Sequence, residues 1–305
     1  MPETPEELDS AVRLAAFAFL EERLLEAGES TLPHNVLRGG FLFRGRRVPL
    51  VGPQGIFKPA VLPEIPLTIT TAPHGPYEDV FDTDGLLHYR YRGKNPMHHE
   101  NVGLRKAMIE QRPLIYFHGI VRGRYIPFWP ARVVGDDPPR LTFQIFLDEQ
   151  ALLRESGPFL RGATAQTPRS YVTVMVKTRV HQTWFRERVL QAYQECCAIC
   201  RLRHRVLLDA THILPDRHPH GEPIVPNGIS LCKLHHAAYD RNILGIRPDL
   251  RIDVRMDILK EIDGPMLQHG LQGFQGERLM IPRRSEDHPN TDFLAERYEL
   301  FLRAS

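Results

Sequence analysis

Residue types that bind metals recur at short spacings between Cys197 and Asp240. Cys197 and Cys200 form C-x-x-C, Cys232 and His235 form C-x-x-H, and together they supply the four ligands that a tetrahedral zinc prefers. So short a module buries little apolar surface, and a structural Zn2+ contributing roughly 10–16 kcal/mol would decide whether it folds. His212, Asn227 and His236 stand beside this set without belonging to it. His236 and Asp240 are spaced i and i+4, so on a helix both project from one face and can hold one divalent cation. His212, with an ordinary pKa of about 6.5, is largely neutral at pH 7 and can take a proton from water. The chemistry available to such a set is metal-assisted hydrolysis.

The order His212, Asn227, His236, interleaved with the two ligand pairs, resembles the HNH nucleases, whose ββα-metal fold carries these residues on a strand, a loop and a helix. The resemblance runs over residues 184–262 and takes in FRERVLQAY as a lead-in helix. It implies that His212 is the general base and that Asn227 holds the loop so that His212 keeps its orientation. It also implies a catalytic divalent cation, Mg2+ or Mn2+, at His236 and Asp240, polarising the scissile phosphate. Many HNH nucleases place Asp or His immediately before the base, where this chain has Thr211. Asp209 shares a strand face with Thr211 and is the expected further ligand, directly or through water. Arg201, Arg203 and Arg205 crowd the loop after CAIC and are expected to contact DNA phosphate, although a solvated basic turn has the same composition. His218 and His220 lack ligand spacing to a third partner and read as exposed loop residues.

Several elements must position this set. Residues 179–195 read as a helix, with Phe185, Val189 and Tyr193 at i, i+4 and i+8 on one face. After the site, IRPDLRIDVR and LQGFQGERLMIP read as strand or hairpin pieces, and residues 291–302 as a last helix. Arg283 and Arg284, between them, suit a phosphate contact or a surface turn.

The chain opens with a helix predicted over residues 4–27, with Thr4 as cap, Pro5 in its first turn, Glu7 completing a capping box and Gly28 ending it. It is expected to pack on the following domain. From residue 29 to 176, short strand-like runs (FLFRGRRVPL, PLTITT, LLHYRYRG, PLIYFHGI, LTFQIFL, YVTVMV) predict a curved sheet or small barrel, with a helical insert over 101–111. Within it, Tyr77-Glu78-Asp79 with Asp82, then Tyr91-Arg92-Gly93, Asn101 and Pro113, resemble the SRA domain, a PUA-like barrel that flips modified cytosine out of the duplex. The resemblance implies a base stacked between Tyr77 and Tyr91, with Asp79 or Asp82 accepting from its exocyclic amine and Arg92 on the backbone. Stacking is worth roughly 1–3 kcal/mol per base and extrusion costs a few, so a tyrosine pair with hydrogen bonds suffices. The other reading of the same residues is a barrel core, since Tyr89 and Tyr91 alternate on one strand face, beside a polar turn at Asp79, Asp82 and Asp84.

The 305 residues exceed one typical domain, and a net charge of +2 points to no particular partner. The acidic opening and the lack of a long apolar run predict a cytoplasmic protein without a membrane span. Four cysteines, three at zinc spacing, suit a reducing compartment, and Cys196 reads as a bystander. The expected architecture is α+β: a helix over 1–28, an SRA/PUA-like curved β-barrel reader over 29–177, a connecting helix over 178–195, and a zinc-stapled ββα-metal (HNH) domain with a C-terminal hairpin and helix over 196–305. The expected function is a modification-dependent endonuclease acting on double-stranded DNA that carries modified cytosine, with a homodimer as a candidate assembly. The alternatives are a restriction endonuclease for an unmodified sequence and a non-catalytic DNA-binding protein, the latter disfavoured by the joint presence of His212, Asn227, His236 and Asp240.

Overall fold

The structure, a computed structural model, describes residues 3–73, 86–147 and 169–304. It divides into two compact units, Met1–Thr183 and Trp184–Ser305.

Unit 1 begins with α1 (Pro5–Ala27), capped by Thr4 and Glu7 as predicted and ended by Gly28 at φ 59°. Its face of Val12, Ala16, Leu20 and Leu24 is buried against Leu32, Leu37, Phe41 and Leu50, so the helix belongs to the core and is not a separate segment. Arg13, also buried, donates to Asp9 (2.6 Å) and to the carbonyls of Pro66 (3.0 Å) and Pro113 (2.7 Å). A buried guanidinium with its hydrogen bonds met is tolerated and ties the helix to two distant loops.

β1 (Leu32–Pro33), α2 (His34–Gly39) and the hairpin β2 (Phe41–Phe43) and β3 (Arg46–Val48) follow. β4 (Ile56–Phe57), β5 (Thr68–Thr71), β6 (Leu87–Arg90), α3 (His99–Ile109), β7 (Leu114–Val121), β8 (Arg124–Asp137) and β9 (Thr142–Leu147) complete the unit's described elements up to residue 147. The main sheet runs β4-β5-β7-β8-β9-β6, with β1 also on β8. β5 and β7 are parallel and the other pairs antiparallel. β7, which pairs with both β5 and β8, is buried at all eight positions. The sheet curls: Tyr89, on the terminal strand β6, donates its hydroxyl to Thr70 O on β5 at 3.1 Å.

One strand expected from the sequence is corrected here, and one strand absent from that reading is added. YVTVMV lies within the helix α4 (Arg169–Ala192) and is not a strand. No Gly or Pro interrupts residues 169–192, so the helix continues through a β-branched stretch that by alternation alone resembled a strand. The longest strand, β8, carries Pro127 and Pro130, which hide it from pattern reading, since proline removes a ladder donor.

In unit 2, the last turns of α4 bury Phe185, Val189 and Leu190, with Tyr193 just after them, over β10 (Leu208–His212) and β11 (Gly228–Cys232), which α5 (Lys233–Asp240) follows directly. Then come the hairpin β12 (Leu244–Ile246) and β13 (Ile252–Val254), α6 (Met256–Lys260), α7 (Pro265–Gly270) and α8 (Thr291–Ala304). LQGFQGERLMIP forms no strand: it begins at the end of α7, passes through a 3-10 turn at Gln272–Phe274 and makes one isolated bridge, Arg251 to Arg278. Among the described residues, no helix is long and apolar enough to cross a membrane.

Candidate active site and metal centre

Cys197 and Cys200 lie on a tight turn closed by Cys197 N–H to Leu202 O (2.9 Å) and Arg201 N–H to Cys197 O (3.0 Å), with Arg201 at φ 66°. Cys232 ends β11 and His235 stands in the first turn of α5, so the register of one hairpin delivers both beside that turn. The four ligand atoms lie within 4.8 Å of one another, and among the described residues this is the only such cluster. His235 Nε2 donates to Gly270 O at 2.8 Å, which leaves Nδ1 facing Cys232 Sγ (3.2 Å) and Cys197 Sγ (3.5 Å). Burial alone would lower the His235 pKa, yet hydrogen bonds with the three cysteines push it up to about 12. This Cys3His set can hold a metal ion.

β10 and β11 pair antiparallel with His212 opposite Gly228 and Asp209 opposite Leu231. The His212 ring stacks on Phe185 (centroids 4.0 Å apart, planes at 17°), and its Nε2 lies 2.8 Å from Asp216 Oδ1. Burial lowers the His212 pKa; Asp216 opposes that shift and the nearby charge of His236 adds to it. Gly228 permits the stack, because a Cβ there would meet Val189 Cγ2 at 2.5 Å and Phe185 Cζ at 2.8 Å. Asn227, fully buried, accepts from Leu214 N (2.9 Å) and donates to the carbonyls of Leu214 (2.9 Å) and Glu222 (3.1 Å). Its side chain thus closes the loop that follows His212.

On α5, His236 Nδ1 lies 3.2 Å from Asp209 Oδ2, and its Nε2 lies 3.2 Å from Asp240 Oδ2. The two carboxylates sit at opposite nitrogens of one ring, so a cation on either nitrogen has one carboxylate beside it. Lys233 Nζ reaches both oxygens of Asp209 (2.7 and 2.8 Å). Burial would raise the Asp209 pKa, but hydrogen bonds from His236 and Lys233 hold it down at about 2. The His236 pKa is raised, first by its bond to Asp209.

The other predicted residues divide into exposed and enclosed ones. Arg205 pairs with buried Glu187 and with Glu195, both at 2.5 Å, so its guanidinium is a structural tie and not an open phosphate contact. Arg201 and Arg203 are exposed. His220 is exposed as expected and stacks on Phe293 (6.2 Å, 16°), whereas His218 is half-buried, 2.9 Å from Glu296 on α8; both contacts join the loop to α8. In unit 1, Tyr91 is only 6% exposed and stacks on Phe143 (4.6 Å, 29°), while its hydroxyl donates to Asp136 and accepts from Arg105 (3.2 Å). It is a core residue, which removes it as an open stacking face. Arg92 is exposed and lies 3.7 Å from Glu100. Tyr77, Asp79 and Asp82 lie outside the described residues.

Sequence reading missed three neighbours of the site: Phe185 as the plate behind His212, Asp216 at its Nε2, and Lys233 on Asp209. Asp216 stands four residues after His212, a spacing that carries meaning on a helix but none in a loop.

No curated protein matches the chain. Among solved structures it is similar to the modification dependent TagI restriction endonuclease (15% identity, 78% of this chain and 82% of that one, TM-score 0.31). It is also similar to the Type IV phosphorothioation-dependent restriction endonuclease ScoMcrA (17% identity, 61% of this chain and 54% of that one, TM-score 0.25). Residues 197–247, which contain the Cys3His cluster, His212, Asn227, His236 and Asp240, match the family model described as HNH endonuclease.

Proposed function

We propose that this protein is a modification-dependent DNA endonuclease that cuts with an HNH site in unit 2 and reads modified cytosine through unit 1. The observation that carries the cutting half is the convergence of His212, Asn227 and His236 on one hairpin-and-helix unit within the HNH-matching segment.

Cys197, Cys200, Cys232 and His235 hold a structural zinc. Cys200 Sγ and Cys232 Sγ are 3.8 Å apart. That equals the edge of a tetrahedron with metal–sulfur bonds of about 2.3 Å, which is about 3.8 Å. Cysteines committed to a metal and to no disulfide suit the reducing cytoplasm.

His212 is the general base: neutral at working pH, braced by Phe185, it takes a proton from the water whose oxygen attacks phosphorus. Asn227 keeps the loop after His212 closed, so the ring stays aimed. His236, with Asp240 on its open side, would hold the catalytic divalent cation, and Asp209, expected from the sequence as a further ligand, instead fixes the ring from behind through Nδ1–H. When bound, Mg2+ or Mn2+ supplies charge to polarise the scissile phosphate and stabilise the leaving oxygen.

For the reading half, the support is the Tyr77–Pro113 resemblance to the SRA domain together with a sheet that curls on itself. Tyr77 with Asp79 or Asp82 would face the flipped base. The burial of Tyr91 takes away one predicted stacking partner and favours a second reading, recognition of an unmodified sequence by the same unit. Digestion by the full-length chain, with Mg2+ or Mn2+, of matched DNA carrying unmodified, methylated, hydroxymethylated or glucosylated cytosine separates the two. Cutting of modified DNA alone is the expected result. Site-specific cutting of unmodified DNA would establish the second reading, and no cutting of any substrate with either ion would overturn both.

A further inference from the structure

A cleft of about 330 Å3 in unit 2 is lined by Arg188, Gln191 and Gln194 on one side and by Arg283, Arg284 and Asp287 on another segment. Its three arginines are exposed. Arg188 lies over the Trp184 ring at 5.2 Å, which steadies the side chain without neutralising it. Arg284 makes one ion pair, to Glu286 at 3.3 Å, with both side chains more than 70% exposed (78% and 72%). Three guanidiniums therefore face one lining carboxylate, with two glutamine amides as neutral partners. The lining contains no aromatic ring and only Ala192 and Val225 as apolar side chains, so nothing in it could stack a base.

The cleft is built onto the active-site frame. Phe185, Arg188 and Ala192 follow one stripe of α4, and Phe185 is the ring under His212. Arg188 stands about 4.5 Å further along the helix axis than Phe185, at 1.5 Å per residue. On the other side, Val225 opens the turn that ends in Asn227, and Asn290 N–H to Pro226 O (2.9 Å) ties the segment after Arg283 to that turn.

We propose that this cleft holds a backbone phosphate of the DNA beside the one being cut, with Arg188, Arg283 and Arg284 as its guanidinium contacts. Forked guanidiniums match phosphate oxygens two at a time, and a contact of this kind positions the strand without reading its sequence. The proposal rests on the nuclease reading of unit 2.

The test is equilibrium binding of the full-length chain, in a His212→Ala background, to modified and unmodified duplexes over a range of salt. Arg188→Gln and Arg283→Gln should each weaken binding several-fold, equally for both duplexes, and each reduce the slope of log Kd against log salt by about 1. Asp287→Asn removes the opposing charge and should tighten binding. Unchanged affinity and slope in both arginine variants would overturn the proposal, as would a loss confined to one duplex. If Arg188→Gln lowers the melting temperature, the exposed Arg283→Gln and the opposite-signed Asp287→Asn still decide. Cleavage by the unsubstituted chain reports on the nuclease reading separately: cutting with unchanged variant slopes sinks the cleft alone, whereas no DNA binding by the parent chain sinks both.

Discussion

Two stretches of this chain presented residues suited to chemistry, and they fared differently in three dimensions. From Cys197 to Asp240, the cluster closes and His236 meets both carboxylates, because a hairpin of five-residue strands and one short helix bring them together. From Tyr89 to Asn101 in unit 1, the most suggestive residue is buried: Tyr91 is enclosed by Phe143 on β9, Asp136 on β8 and Arg105 on α3. Asn101 likewise serves the backbone, bonding to Arg92 N (2.8 Å), Arg92 O (3.2 Å) and Asn95 O (2.9 Å). Ligand spacing on a local hairpin constrains geometry by itself. The availability of an aromatic face on a sheet depends on strands dozens of residues away.

The sharpest way to break this contrast is to remove the cluster. Cys200→Ser, or stripping with a strong chelator, should unfold unit 2, since a structural metal contributes roughly 10–16 kcal/mol in small modules. Elemental analysis should find one zinc per chain in the parent, and proteolysis should digest residues 184–305 first in the variant. A zinc-free parent that melts cooperatively would show that local spacing had misled.

His212→Ala should lower cleavage by about 10²–10⁴-fold with the fold intact by circular dichroism. Burial lowers the pKa of His212 below its ordinary 6.5, so its base form persists at pH values where a free histidine is already protonated. The acid limb of kcat/KM should accordingly fall below pH 6.5; a limb above that value would remove His212 from the role.

Gly228→Ala tests the plate behind the base. The added methyl collides with Val189 and Phe185. Overpacking of this kind costs about 1–3 kcal/mol, and the shift of Phe185 should reduce cleavage more than metal content. Equal cleavage at equal stability would show that the stack on His212 is incidental.

The smallest effect concerns unit 1. Tyr91→Phe should destabilise it by about 1 kcal/mol in denaturant unfolding through the lost hydroxyl bonds, with no change in the preference between modified and unmodified DNA. A selective loss on modified DNA would return Tyr91 to the base pocket and erase the contrast.

In the sequence, the Cys3His ligand set and the caps of α1 at Thr4 and Gly28 were legible from residue types and spacing, and the strand–loop–helix order of His212, Asn227 and His236 from the HNH resemblance. Each depends on contacts between near neighbours in the chain or on a turn whose chemistry is local. Only the tertiary structure decided which charges are free. Arg201, Arg203 and Arg205 are indistinguishable by composition, yet Arg205 lies against Glu187 on α4, where a buried carboxylate requires a partner. Asp216 and Phe185 reach His212 from a loop and from a helix, and neither approach has a period that a sequence displays. The strand β8 was hidden by its prolines and the helical start of α4 by its β-branched run, because there pairing and chain continuity override local preference.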